Sequence, residues 1–166
     1  MYGNWILEPP EGHLHGTVYT DGSAIDADVK IASRACWGLS MIPDGSDVIC
    51  AAACGPLPTF IQTSGCAELY AAAVALRMAA PPVTIVTEYE QLIHGWQLGP
   101  GSYTHPGSKS GEVWKLFWHT ALDFGTEQIT LRRVPVHKRF SAVFDGLFTY
   151  RDWSEIVKLT RWPNGA

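Results

Sequence analysis

The stretch "GTVYTDGSA", residues 16–24, alternates apolar and polar positions and then meets Asp21, Gly22 and Ser23. Such alternation predicts a half-buried strand. Asp-Gly is also a strong hairpin signal, which gives Asp21 two readings: a turn residue, or a carboxylate displayed where a strand ends. A second Asp-Gly, in "PDGS" at 43–46, lies between the strand patterns "RACWGLSMI" and "DVICAAACG" and accounts for itself as a hairpin turn. Asp21 is followed instead by "AIDADVKIAS", a longer polar connection that weakens the tight-turn reading.

Working outward, the helix "TSGCAELYAAAVALRMAAPP" is the clearest element. Thr63 or Ser64 can cap it, Pro81-Pro82 stops it, and Leu69, Ala72, Ala73 and Leu76 recur at helical spacing as its buried stripe. Glu68 lies beside that stripe, where it reads either as a first-turn partner of the helix dipole or as a functional carboxylate. "VTIVT" then suits a strand buried on both faces and runs into the short helix "EYEQLIHGW", leaving Glu88 at the strand's C-terminal end. A glycine-rich loop precedes the helix "EVWKLFWHTAL", whose stripe Val113, Leu116, Phe117 and Ala121 reads as core. "QITLRRVPV" predicts a fifth strand and "YRDWSEIVKLT" a final helix.

The whole chain of 166 residues fits one domain, read as 16–166 after an irregular lead-in at 1–15 containing Pro9-Pro10. Apolar residues at 46% and charged residues at 17% suit a globular protein, and no run nears the roughly 18 apolar residues of a membrane span. The start "MYGNWILEPPEGH" lacks the basic and apolar regions of a signal peptide, so an intracellular, reducing compartment is expected, nucleus or cytoplasm undecided. Cys36, Cys50, Cys54 and Cys66 form no C-x-x-C knuckle and read as small buried hydrophobes. The net charge of −4 argues against a broadly basic surface, yet "LRRVPVHKRF" supplies a local basic edge of Arg132, Arg133, His137, Lys138 and Arg139.

The order of elements brings Asp21, Glu68 and Glu88 toward one sheet edge if the first and fourth strands are neighbours. Carboxylates sharing a cleft repel, and divalent cations remove that conflict. Hard oxygen ligands favour Mg²⁺ or Mn²⁺. Two such ions about 3.5–4 Å apart can clamp a phosphodiester.

"YTDGSA", "QTSGCAELYAAAVAL", "IVTEYEQLIHGW" and "ITLRRVPVH" resemble, in order, the motifs of type 1 ribonuclease H, particularly the domain associated with retroelement reverse transcriptases. The resemblance implies an α/β fold, a five-stranded mixed sheet of three antiparallel strands followed by parallel strands, flanked by helices. It implies hydrolysis of the RNA strand of RNA–DNA hybrids with two metal ions, read through 2′-hydroxyl contacts, leaving a 5′-phosphate and a 3′-hydroxyl. By this resemblance Asp21, Glu68 and Glu88 are catalytic metal ligands, and His137 assists product release or proton transfer. Gly22, Ser23, Thr63, Arg133 and Lys138 would meet the nucleic acid. A reverse transcriptase or larger assembly is the implied partner.

The chain departs from this family pattern twice. Glu88 stands where the family carries an aspartate. The family's closing Ala-Asp is missing from "RDWSEIVKLTRWPNGA", where Leu159 or Thr160 falls at the expected place. Asp145, Asp152 and Glu155 are substitutes that spacing does not separate from surface or cap residues. A weakened or inactive domain serving as a nucleic-acid-binding or structural subunit is the alternative these departures imply.

Overall fold

The computed structural model describes residues 4–25, 34–43, 46 and 48–134. His137, Lys138, Asp145, Asp152, Glu155, Leu159, Thr160 and the expected final helix lie outside the described residues. The described elements are β1 (Asn4–Leu7), β2 (Leu14–Ile25), β3 (Arg34–Ile42), β4 (Ala51–Pro56), α1 (Ser64–Met78), β5 (Ala79–Thr87), α2 (Glu90–Leu98), α3 (Gly111–Phe124), a 3-10 turn at Thr126–Gln128, and β6 (Ile129–Arg133).

The strands form one mixed sheet in the order β1-β4-β3-β2-β5-β6. β2, β3 and β4 pair antiparallel, while β5 joins β2 and β6 joins β5 in parallel. This is the expected arrangement with one strand more. The sixth strand is β1, within the lead-in expected to be irregular, and it pairs antiparallel with β4. Four residues are too few to show a periodicity of their own. Their strand conformation comes from the partner.

The expected end of the first strand at Asp21 is also corrected. β2 runs through Asp21-Gly22 to Ile25 because β3 stays paired with it, Asp21 opposite Gly38 and Ile25 opposite Arg34. Its parallel pairing with β5, however, ends at Tyr19↔Val86. Asp21 is thus inside a strand toward β3 and beyond the last rung toward β5. That asymmetry opens a gap at the C-terminal end of β5. The Asp-Gly turn reading fails because a neighbouring strand supplies hydrogen bonds that the local sequence cannot reveal.

α1 lies across the sheet against β2, β3 and β5 and packs on α3. It is buried from Cys66 to Leu76, as a helix apolar almost all round must be. Its alanines let it lie close to the strands. Gly22 is where the approach is tightest: a Cβ there would stand 2.7 Å from the Ala67 carbonyl carbon, 2.8 Å from its Cβ, and in collision with the Glu68 nitrogen. The expected stripe of α3 holds, Val113, Phe117 and Ala121 being buried and Leu116 half-buried. Between α2 and α3 lies an aromatic block in which Trp96 stacks on Trp118 with centroids 5.6 Å apart, and Trp114 meets Phe117 edge-on at 5.8 Å.

Cys36 and Cys66 are buried, Cys50 and Cys54 half-buried, and all are free thiols, as expected of small hydrophobes. Burial, with the Cys54 charge adding to it, pushes the Cys36 thiol up to about 11. No helix among the described residues is long and apolar enough to cross a membrane.

Because backbone atoms of α1 occupy the space a methyl group would need, Gly22→Ala is expected to lower stability by about 1–3 kcal/mol. Urea unfolding measures this, and a change near zero would mean that α1 does not rest on Gly22.

Candidate metal centre

Each carboxylate is delivered by a different element. Asp21 sits on β2 beyond the last β5 rung, and the Gly22 backbone N–H donates to its Oδ1 at 2.9 Å. Glu68 comes from α1, and Glu88 from the junction between β5 and α2. One oxygen from each lies within 4.8 Å of the other two. Asp21 and Glu88 are half-buried and Glu68 is buried. The helix-dipole reading of Glu68 is set aside, since α1 starts at Ser64, its first turn holds no acidic residue, and Glu68 lies a turn further in.

Two threonines shape the gap. Where β2 and β5 part, the Thr20 hydroxyl donates to the Val86 carbonyl at 3.3 Å, spanning the interval that the ladder leaves. Thr87, fully buried at the end of β5, donates from Oγ1 to Glu68 Oε2 at 3.4 Å and accepts from the Tyr89 N–H at 3.0 Å. One hydroxyl therefore ties the α1 carboxylate to the backbone that carries Glu88. The only advance sign of Thr87 was a hydroxyl closing the run "VTIVT".

Tyr89 also escaped notice in the sequence. Its ring stands against Gly65 near the start of α1, where an added Cβ would meet the hydroxyl oxygen at 3.0 Å. Burial first, then the charges of Cys66, Glu68 and Tyr103, push its phenol up to about 12.

The residues expected at nucleic acid have structural duties as well. Gly22 seats α1. Thr63 caps it, Oγ1 accepting from the Cys66 N–H at 3.1 Å, and remains exposed. Ser23 is half-buried on β2. On β6, Arg133 reaches Glu90 at 3.7 Å, an exposed pair that contributes little to stability. His137 and Lys138 follow β6 outside the described residues.

Ionised carboxylates this close repel by about 3–4 kcal/mol per pair at an effective dielectric of about 20. Bonds from Gly22 and Thr87 each offset only a fraction of that. An all-oxygen set converging from separate elements, without thiolate or imidazole, fits a hard divalent cation. Asp21, Glu68 and Glu88 are the residues that could hold it. The extra methylene of Glu88 does not keep its carboxylate out of the group.

No family model and no curated protein matches the chain. Among solved structures it is similar to the RNase H domain of PFV, with 21% identity, 87% of this chain and 98% of that one covered, and a TM-score of 0.50. It is similar to LC11-RNase H1 in complex with an RNA/DNA hybrid, with 18% identity, coverage of 74% and 86%, and a TM-score of 0.55. The foamy viral protease-reverse transcriptase in complex with dsDNA gives 20% identity, coverage of 87% and 93%, and a TM-score of 0.55. The fold is ribonuclease H-like.

Two measurements bear on this site. Calorimetry should detect Mn²⁺ uptake that Glu68→Gln weakens by about tenfold or more, since one anionic ligand is lost. For Tyr89 the fold favours the neutral phenol, so its stabilising contribution is complete below about pH 10 and declines as pH rises toward about 12. Tyr89→Phe should therefore lose less stability than the parent between about pH 10 and about pH 12 in urea titrations.

Proposed function

We propose that this chain is a divalent-metal-dependent endonuclease that hydrolyses the RNA strand of RNA–DNA hybrids. The observation that carries the reading is the convergence of Asp21, Glu68 and Glu88 on one gap in a ribonuclease H-like sheet. The similarity to an RNase H1 solved with an RNA/DNA hybrid supports the choice of substrate.

Asp21, Glu68 and Glu88 would hold Mg²⁺ or Mn²⁺, two ions by the family pattern. When bound, such ions supply Lewis-acid activation of water and stabilisation of the leaving oxygen. The chain's own residues prepare that chemistry. The Gly22 N–H fixes one oxygen of Asp21 and the Thr87 hydroxyl fixes one oxygen of Glu68, which reduces the orientational freedom lost when ligand and substrate arrive. Ser23 and Thr63, near this gap on β2 and at the start of α1, are suited to hydrogen bonds with successive 2′-hydroxyls. Arg133 and Lys138 would meet phosphates, with the Glu90 pair releasing Arg133 at small cost. His137 would serve proton transfer or product release. A reverse transcriptase assembly is the proposed partner, which likeness to a foamy viral protease-reverse transcriptase supports, and an intracellular compartment is proposed from the sequence alone.

Glu88 in place of an aspartate favours a second reading, a slow or silent domain retained for binding hybrid. Ligand misplacement of about 1 Å can cost roughly 10²-fold in rate.

The test is cleavage of a labelled RNA–DNA hybrid in Mg²⁺ and in Mn²⁺. The parent should release 5′-phosphorylated RNA fragments, and Asp21→Asn should lose about 10²-fold or more, since a central ligand is gone. Cleavage in neither metal, or equal cleavage by Asp21→Asn, overturns the enzyme reading.

A further inference from the structure

At the C-terminal ends of α2 and α3, Trp96, Pro100, Trp118, Thr126 and Glu127 line a concavity of about 310 Å³. Two indoles supply its apolar wall, nearly parallel at 4° with centroids 5.6 Å apart. The Trp118 Nε1–H donates to the Ser102 carbonyl at 3.0 Å, which fixes that ring, and Trp96 is half-buried. Glu127 is exposed, and among the described residues its carboxylate has no ion pair or hydrogen bond.

Electrostatics at this corner are one-sided. The last carbonyls of a helix have no partner within it and make its C-terminus a negative end, where a cation is stabilising. Neither α2 nor α3 has a basic residue in its last turn. Glu127 adds a full negative charge beside the end of α3. Gly125, the residue after that helix, has φ +99°, and a Cβ there would stand 2.8 Å from Glu127 Oε1. Glycine therefore lets the carboxylate fold back toward the helix end. None of the lining residues is cationic.

We propose that this concavity is a docking site for an arginine side chain presented by a partner protein. A guanidinium matches both walls, since its plane stacks on an indole and its fork of N–H donors pairs with a carboxylate. A hard metal ion is matched by neither the indoles nor the proline. Phosphate is repelled by Glu127 and by both helix ends, so the site does not serve the hybrid. The volume suits one long side chain, a helix of about 10–12 Å diameter being too wide for it.

α2 has nine residues, a length of about 13 Å, and begins two residues beyond Glu88. The arginine site and the acidic group thus stand at opposite ends of that helix. The proposal does not depend on the hybrid-cleaving reading.

Two-dimensional NMR of the indole N–H groups in the full-length, metal-free chain tests it, with the Trp96 signal assigned by its loss in Trp96→Phe. Titration with N-acetyl-arginine amide should move that signal saturably. N-acetyl-citrulline amide, of similar shape without the charge, should not. Glu127→Gln should weaken arginine binding about fivefold or more while the indole signals keep their dispersion. No saturable shift, an equal response to the citrulline compound, or unchanged affinity in Glu127→Gln overturns the proposal. None of these outcomes turns on whether the parent cleaves hybrid.

Discussion

The backbone of α1 at Ala67 and Glu68 rests on Gly22 with no room between them for a methyl group. That contact sets the height of the helix above β2, and with it the distance from the Glu68 carboxylate to Asp21. Because Asp21 is next to Gly22 in the chain, the contact that packs the core also assembles the acidic group. Core volume and ligand spacing are therefore one variable. A larger side chain anywhere along the alanines of α1 would act on both, since close-packed interiors transmit small volume changes.

Like charges oppose this assembly, and the structure meets the opposition with fixed donors. The Gly22 N–H and the Thr87 hydroxyl hold one oxygen each of Asp21 and Glu68. Net contributions of about 0.5–1.5 kcal/mol per bond orient the carboxylates without cancelling their repulsion. A divalent cation, under the proposed function, would relieve the repulsion among them. Carboxylates converging from separate elements mark a candidate functional site more than a source of stability.

Much of this was legible in the chain. "RACWGLSMI" has the same limits as β3, and the capped, proline-stopped pattern of α1 and the stripe of α3 both hold. Asp21, Glu68 and Glu88 are brought together as the element order implied. What escaped notice depends on partners distant in sequence. Asp-Gly continues β2 because β3 pairs with it, and β1 exists because β4 does. Thr87 gained its role from α1, and Tyr89 its high phenol from burial against the same helix. Local propensity is blind to such neighbours.

β1 has a wider consequence through its position at the rim. Among the described residues it is the last strand on its side of the sheet, and Ile6 and Leu7 on it are about half exposed. A free strand rim with apolar side chains invites another chain to dock by backbone pairing. Here the rim is four residues long and its register breaks between Trp5 and Leu7. On the opposite side, β6 ends in Arg132 and Arg133, whose charges would be trapped in any stacked ribbon. Among the described strands, brevity and irregularity at one border, and charge at the other, discourage growth of the sheet into fibrils.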